Sequence, residues 1–491
     1  MELRQRVVKG VAWQSVEKVV TALLQFAVSM VLMNHLTPTD YGSWAILSIF
    51  LAILLPVVDS GFSQALIRKK EIKDGDYSSV FYVNVLIAIA LYLILWAATP
   101  FLSRFFEDEL FAQIAPVLFL LFPINSLSII QSTILSRQLE YRKLSLYTLV
   151  ASVVSSVAAI AMALSGFGLW ALVAQRMLAL AVKALMMWIM SDWRPEWKFS
   201  MESIKSMFRY GSRIMLSDLV SNIYYQISGL FIERGHGKAQ LGFYDRGNKI
   251  KELPVSSSIN AVMGVSFSSL SRLQGEEDRF HDSARKIFLL WIFVMLPVMT
   301  GLICVAEDMF RFLLPEVWLP TVPYLQILSL AGLLAPLSVI SYNIVKIKSD
   351  GNMIFRIEVI KKVIATIVLI VTIPISVRAI AWGQVIIFVS DMLVNTITAH
   401  RYMPRWTLWA RVKDMAPYIF VTALMVGVIF LIDLFTASWA AGWVLLVKVL
   451  AGVVVYCGGN ALFHLEAWQE MMTILKGYVE KNSKFKIQNS K

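Results

Sequence analysis

Charged residues, histidines and cysteines are all scarce in this sequence. Only 16% of its 491 residues are charged and 58% are hydrophobic, so a water-soluble chain of this composition would need an implausibly large core. The two cysteines, Cys304 and Cys457, both fall in apolar runs, which excludes a disulfide framework. The five histidines are scattered and form no cluster. We therefore expect neither a metal site nor a cofactor.

Connections long enough to hold a soluble domain are also missing. Instead, apolar runs of membrane-spanning length recur from one end of the chain to the other. They predict an all-α polytopic membrane protein with about fourteen transmembrane helices. The predicted spans are residues 11–36, 42–66, 79–102, 111–136, 146–165, 168–190, 208–232, 241–271, 285–306, 322–346, 355–375, 378–400, 414–435 and 440–463.

Basic residues are unevenly distributed among the connections. The net charge of +12 at pH 7 could indicate a nucleic-acid-binding protein. However, Lys and Arg concentrate in every second connection, such as residues 68–73, 137–143 and 194–209, whereas NHLTPTDYG and FTASWAAGW contain none. This alternation is the positive-inside pattern, which predicts that both termini are cytoplasmic and that nucleic acid is not a partner. The connection after the seventh span breaks the pattern.

The first predicted span carries a polar stripe. Gln14, Lys18, Thr21 and Gln25 follow one another at steps of four, three and four residues, so they lie on one helical face, with Glu17 beside them. Such a stripe favours a position facing a water-filled cavity. The alternative is that the Lys18 side chain extends to the cytoplasmic surface.

Two further spans contain polar residues at helical spacing. In the sixth, Arg176 and Lys183 share one face without an acid in the same helix, so they need an anionic partner from another helix or from a ligand. In the seventh, Asp218, Asn222 and Tyr225 recur at steps of four and three residues. This second stripe should also face other helices or a cavity.

The chain repeats its plan after about 200 residues, because TDYGSWAI and AQLGFYDRG align Gly42 with Gly242. An even-helix repeat with the same charge polarity predicts two pseudo-symmetric, similarly oriented lobes. Asp433 and Lys448 lie near the ends of the last two spans, outside the repeat, and indicate no site. The predicted domains are an N-terminal lobe (1–200), a C-terminal lobe (201–402), an extra helix pair (403–465) and a basic cytoplasmic tail (466–491).

Several motifs, taken in order, resemble one family. They are LTPTDYGSWAI, VVDSGFSQALI, YSSVFYVN, QLEYRKL, GFGLWALVAQ, WRPEWKFS and LGFYDRGNKIKELP. Together they resemble the polysaccharide-transporter branch of the multidrug/oligosaccharidyl-lipid/polysaccharide (MOP) exporter superfamily, and within it the Wzx-like lipopolysaccharide, O-antigen and exopolysaccharide flippases. The resemblance covers the chain to about Arg401.

The resemblance implies an inner-membrane protein of two six-helix lobes plus two C-terminal helices. Such proteins are not enzymes: they move an undecaprenyl-diphosphate-linked oligosaccharide to the periplasmic leaflet by alternating access. Besides this cargo and membrane lipids, polysaccharide polymerase and chain-length machinery are the expected partners. Basic side chains would bind the diphosphate, amides and aromatic rings would contact sugars, and a lateral opening would admit the lipid tail.

The resemblance suggests roles for the polar residues already described. The cations expected to line the cavity are Lys18, Arg176, Lys183, Arg246 and Lys249, and the expected sugar contacts are Gln14, Gln25, Asn222 and Tyr225. Asp218 is the candidate for coupling transport to an ion, or else it pairs with a cation such as Lys18. For the basic residues after the seventh span, the alternative is that they form local salt bridges. These would join Arg246 to Asp245, Lys249 or Lys251 to Glu252, and Arg234 to Glu233.

Three other functions compete with this interpretation. A multidrug cation antiporter of the same superfamily would favour an acidic or aromatic cavity, whereas the charges within these spans are mainly basic. A membrane glycan polymerase or ligase commonly needs a large periplasmic loop, and no connection here is long enough. A lipid II flippase differs only in its cargo.

Overall fold

The computed structural model describes residues 2–73, 75–436 and 439–473, and every regular element in these ranges is helical. The first part contains α1 (Glu2–Met33), α2 (Pro38–Asp59), α3 (Phe62–Arg68), α4 (Asp76–Phe105), α5 (Glu109–Leu118), α6 (Leu121–Arg137), α7 (Tyr141–Leu164), α8 (Trp170–Met190) and α9 (Met201–His236). The second part contains α10 (Lys238–Arg272), α11 (Glu277–Leu313), α12 (Val322–Leu333), α13 (Ala335–Lys348), α14 (Gly351–Thr372), α15 (Val377–Tyr402), α16 (Leu408–Thr436) and α17 (Ala441–Leu462). A short 3-10 helix, Glu316–Thr321, precedes α12.

The predicted all-α membrane class is confirmed. Within the described ranges, eleven helical stretches are long and apolar enough to cross a membrane. The remaining long helices α9, α10 and α14 overlap predicted spans but do not reach this apolar content, because polar and charged residues interrupt them. The protein is therefore a multi-pass membrane protein, and the count of fourteen spans stays a prediction.

Three predicted spans are broken into two helices. The second is divided at Ser60 and Gly61, whose φ angles are 50° and 70°, values in the left-handed region that ends a helix. The fourth is divided between α5 and α6, and the tenth at Leu334 between α12 and α13. At the break before α13, Pro336 occupies the first turn of the new helix, where a missing N–H group costs nothing.

The chain forms two compact units, Met1–Asp245 and Arg246–Lys491. In the first unit α1 packs on α7, α7 on α8, α4 on α6 and α2 on α9. In the second, α13 packs on α15, α16 on α17 and α11 on α12. The predicted domains follow the sequence repeat, so their boundaries stay a prediction, and residues 474–491 of the predicted tail lie outside the described residues.

In the second unit, ion pairs join α11 to the last two helices near both of its ends. At one end, Arg285 lies 2.9 Å from Asp414 of α16 and 2.8 Å from Glu466, which follows α17. At the other, Lys448 of α17 is buried between the carboxylates of Asp308 on α11 and Asp433 on α16. Asp433 and Lys448, which the sequence did not single out, thus form part of a structural ion cluster.

Candidate functional site

The polar stripe of α1 is only partly covered by the protein. Lys18 and Gln25 are exposed, whereas Gln14 and Thr21 are half-buried. The main packing partner of α1 is α7. The accessibility of Lys18 and Gln25 is compatible with a cavity-facing stripe, which stays a prediction.

Arg176 and Lys183 lie on α8 in different surroundings. Lys183 is half-buried and close enough to Glu17 of α1 for electrostatic attraction, although the two side chains form no ion pair. Arg176 is exposed and forms no hydrogen bond or ion pair with any other residue that the structure describes. The hydrogen-bond donors of its guanidinium group are therefore not used by any other described residue.

The α9 stripe is mostly exposed. The Asn222 amide nitrogen donates to the Asp218 carbonyl oxygen at 2.8 Å, so one of its hydrogen bonds is made within the helix. Tyr225 is exposed. Asp218 is also exposed and forms no ion pair with Lys18 or with any other cation in the described part of the chain. A second carboxylate, Asp59 of α2, is close enough to interact with it electrostatically.

Four basic residues around the α9–α10 junction differ in their partners and burial. Arg234 lies 3.3 Å from Glu107, because the junction packs on the 106–108 connection. It does not form the local salt bridge to Glu233 that was the alternative prediction. Lys251 is buried and lies 3.1 Å from Glu252, which confirms that alternative for this lysine. Arg246 is also buried. Lys249 is exposed and has no ion pair within the described ranges.

The predicted site residues are divided between the two compact units. Gln14, Lys18, Gln25, Arg176, Lys183, Asp218, Asn222 and Tyr225 belong to the first, and Arg246 and Lys249 to the second. Within the first unit, the structure brings Lys183 close to α1 and joins Asn222 to Asp218.

A charge cluster on α14 and α15 of the second unit contains none of the predicted site residues. Lys361 of α14 lies 2.5 Å from Glu358 and 5.0 Å from the centre of the Tyr342 ring. Asp391 of α15 is close enough to interact with both charges of this pair. Asp391, the acidic residue within the predicted span 378–400, was the signal in the sequence. Its partners could not be predicted because they lie on another helix.

A cavity of about 440 Å³ lies elsewhere in the second unit and contains none of the predicted site residues. Lys348, Asn352, Arg356 and Tyr402 contribute to its lining. Across the residues that the structure describes, no group of three or more His, Cys, Asp or Glu side chains could hold a metal ion.

The sequence is similar to a known protein family and to several polysaccharide biosynthesis proteins. A family model described as "Polysaccharide biosynthesis protein" matches residues 31–323. The succinoglycan biosynthesis transport protein ExoT of Rhizobium meliloti (strain 1021) is 25% identical over 333 residues, covering 68% of this chain and 67% of that protein. The teichuronic acid biosynthesis protein TuaB of Bacillus subtilis (strain 168) is 23% identical, covering 92% and 95%. The lipopolysaccharide biosynthesis protein WzxC of Escherichia coli (strain K12) is 20% identical, covering 82% of each.

Two solved structures share the fold. The lipid II flippase MurJ in an inward closed conformation has a TM-score of 0.74 at 17% identity, covering 92% of this chain and 98% of that one. An inward-facing multidrug resistance MATE transporter of the MOP superfamily has a TM-score of 0.60 at 14% identity, covering 81% and 98%. At these identities the likeness concerns the fold alone. Because the family model covers more than half of the chain, this protein belongs to the polysaccharide biosynthesis protein family, as its motifs suggested.

Proposed function

We propose that this protein is a flippase that moves a polyprenyl-diphosphate-linked oligosaccharide across the bacterial inner membrane. The cargo would serve the biosynthesis of a surface polysaccharide, such as lipopolysaccharide O-antigen, capsule or exopolysaccharide. Family membership supports this proposal, as do relatives named for succinoglycan transport, teichuronic acid biosynthesis and lipopolysaccharide biosynthesis. No covalent chemistry is required of the protein, so we infer that it is not an enzyme.

Arg176 is the observation that carries the proposal. A guanidinium group on a membrane-spanning helix is costly unless an anion accompanies it. Among the described residues Arg176 has no such partner, whereas Lys183 on the same face lies close enough to Glu17 for electrostatic attraction. A diphosphate would supply the missing anion, since a planar guanidinium binds phosphate oxygens with two parallel hydrogen bonds.

The remaining cargo contacts follow from exposure. Lys18 and Lys249 would add positive charge for the diphosphate or an acidic sugar, and Gln25 and Tyr225 would present an amide and a ring face to the glycan. Gln14 and Asn222 are half-buried and would contribute less, and buried Arg246 would contribute only if it became accessible.

Asp218 is proposed to couple transport to an ion. It is exposed, and Asp59 supplies a second carboxylate close enough to interact with it, so the two oxygen-bearing side chains could share a cation. Two lobes would open in turn to the cytoplasm and the periplasm, with both termini cytoplasmic. Polysaccharide polymerase and chain-length machinery would receive the cargo.

The multidrug alternative is less well supported. A pocket for cationic drugs would be disfavoured by an unpaired arginine, because like charges repel in a low-dielectric environment. Lipid II shares the diphosphate chemistry, so only the identity of the cargo distinguishes that alternative.

The decisive experiment is deletion of the gene followed by analysis of lipid-linked oligosaccharides. We expect the oligosaccharide to accumulate on the cytoplasmic face, surface polysaccharide to fall, and a plasmid copy to reverse both effects. Normal surface polysaccharide in the deletion strain, with no accumulated intermediate, would refute the proposed function.

A further inference from the structure

Glycines bring α2 into backbone contact with the beginning of α10. A Cβ atom added to Gly42 would lie 2.1 Å from the carbonyl oxygen of Lys238. A Cβ atom added to Gly242 would lie 2.0 Å from the carbonyl oxygen of Pro38. Both distances are far inside van der Waals contact, and neither partner is a side chain that could rotate away. Only glycine is compatible with this approach at either position.

A second glycine contact lies at the other end of α2. A Cβ atom on Gly61, just beyond α2, would lie 2.3 Å from the carbonyl oxygen of Gly211 in α9. A Cβ atom on Gly211 would lie 2.8 Å from the carbonyl oxygen of Ser60. Gly61 also has a φ of +70°, so a side chain there would strain the turn as well.

Between these ends, α2 and α9 meet through the side chain of Ile49, which can change its rotamer. A Cβ atom on Gly229 would approach Ile49 Cδ1 to 2.8 Å, and this methyl group is the far end of a flexible side chain. The contacts at the two ends are therefore different from the contact in the middle. They are made by main chain against main chain and have no means of adapting to an added atom.

Charges reinforce the contact at Gly42. The hydroxyl of Ser43 donates to Asp108 Oδ2 at 2.5 Å, and Lys238 Nζ lies 3.4 Å from the same buried oxygen. Lys238 Nζ also donates to the carbonyl oxygen of Glu107 at 2.8 Å. These bonds join α2, the 106–108 connection and α10 where the glycines touch. Separating Lys238 from Asp108 would leave the buried carboxylate without its cation, which is costly.

The two contacts lie toward opposite faces of the membrane. Gly42 is the last residue of the connection NHLTPTDYG, which lacks Lys and Arg and is predicted to be periplasmic. Gly61 precedes the basic residues 68–73, which are predicted to be cytoplasmic. A carrier that works by alternating access must close each face in turn around its cargo.

We propose that α2 closes the transport path at both faces through these glycines. Gly42 and Gly242 form the periplasmic closure, secured by the Asp108–Lys238 pair, and Gly61 and Gly211 form the cytoplasmic closure. The inference rests on the proposed function, because it presumes a path that opens to both sides. The glycines are positioning residues: they need not contact the cargo, but they allow the helices to meet.

The test measures from which side a cysteine inside the path can be labelled. In a chain with Cys304 and Cys457 replaced by Ala, Asn222→Cys on α9 is the reporter, and a membrane-impermeant maleimide is applied to spheroplasts or to inverted vesicles. Gly42→Ala or Gly242→Ala should increase periplasmic relative to cytoplasmic labelling by roughly tenfold, since overpacking opposes closure. Gly211→Ala should shift the ratio in the opposite direction.

Matched variants separate closure from a general packing defect. Gly235→Ala in α9 adds a Cβ atom with nothing within 4 Å. Gly229→Ala meets only the ends of flexible side chains, Ile49 at 2.8 Å and Leu241 at 3.5 Å, so both variants should keep the parental ratio. Lys238→Gln removes the ion pair without adding bulk and should shift the ratio in the same direction as Gly42→Ala. This variant keeps the test informative if a glycine variant does not accumulate.

The inference is wrong if Gly42→Ala and Lys238→Gln change the labelling ratio no more than Gly235→Ala does. Labelling is recorded without export, so this result is independent of the cargo. A deletion strain with normal surface polysaccharide would instead refute the proposed function while leaving the labelling ratios interpretable.

Discussion

Arg176 and Lys183 share a face of α8, but their surroundings differ. Lys183 lies close enough to Glu17 for electrostatic attraction, whereas no other described residue bonds to Arg176. A cation near an opposite charge is partly compensated within the protein, whereas one without such a neighbour is the better candidate for binding a ligand. We therefore expect different roles for the two side chains, although their spacing in the sequence places them on one helical face.

Replacing Arg176 by Ala should lower export of surface polysaccharide about tenfold or more, because a charge-assisted bond to the diphosphate is lost. Arg176→Lys keeps the charge but not the bidentate geometry and should be intermediate. The measurement is surface polysaccharide per unit of protein in the membrane. Export from Arg176→Ala equal to that of the parent would contradict a cargo-binding role.

Lys448 presents the opposite case, a cation whose role is structural. It is 3% exposed and contacts both Asp308 and Asp433. Lys448→Met should leave two carboxylates facing each other and destabilise the fold by on the order of 3 kcal/mol. Thermal denaturation of the purified protein measures this. Adding Asp308→Asn and Asp433→Asn should recover most of the loss, and no recovery would point to packing rather than charge.

At the scale of elements, α3 shows how a short helix is retained. It has seven residues, too few to be stable alone. Arg137 at the end of α6 donates from Nη1 to the carbonyl oxygens of Leu66 at 2.6 Å and Lys69 at 2.5 Å, and from Nη2 to that of Lys70 at 3.0 Å. One guanidinium thus satisfies carbonyl groups at the α3 C-terminus that the helix leaves without partners.

Arg137→Ala should therefore destabilise the protein by about 1–3 kcal/mol, the usual cost of losing hydrogen bonds from a charged donor. Arg137→Lys preserves the positive charge that orients the connection, but a single ammonium group cannot reach three carbonyl oxygens in the same geometry. The denaturation midpoint of Arg137→Lys should fall between those of the parent and Arg137→Ala. Identical midpoints for all three would show that the contacts contribute nothing.

At the scale of the molecule, the last two helices are integrated into the second compact unit. They lie outside the sequence repeat, which suggested an accessory pair. However, α11 carries both Arg285, paired with Asp414 and Glu466, and Asp308, paired with Lys448. Removing α16 and α17 would expose the apolar face of α11 and leave these charges without partners.

A chain ending at Tyr402 should consequently fail to accumulate in the membrane, although it keeps the whole predicted repeat. Immunoblotting of membrane fractions measures the level. Lys286→Gln, which removes one exposed pair with Glu470 at the same interface, is the control and should accumulate normally. Normal accumulation of the shortened chain would show that the repeat folds without the helix pair.

The sequence by itself determined the membrane class and the polar faces of the helices. These follow from apolar content and from helical periodicity, which are properties of continuous stretches of chain. It also indicated the family, because the motifs keep their order. The polar content of α9, for example, was visible as residues on one face of a single helix.

Only the tertiary structure decided which residues meet. The approach of Glu17 to Lys183, the Lys448 cluster and the contact between Gly42 and Gly242 all join distant parts of the chain. Spacing within a helix shows which residues share a face, but not which other helix covers that face. The repeat aligned Gly42 with Gly242 as equivalents, and the folded chain brings them into contact, because both helices need a position without a side chain at the same crossing.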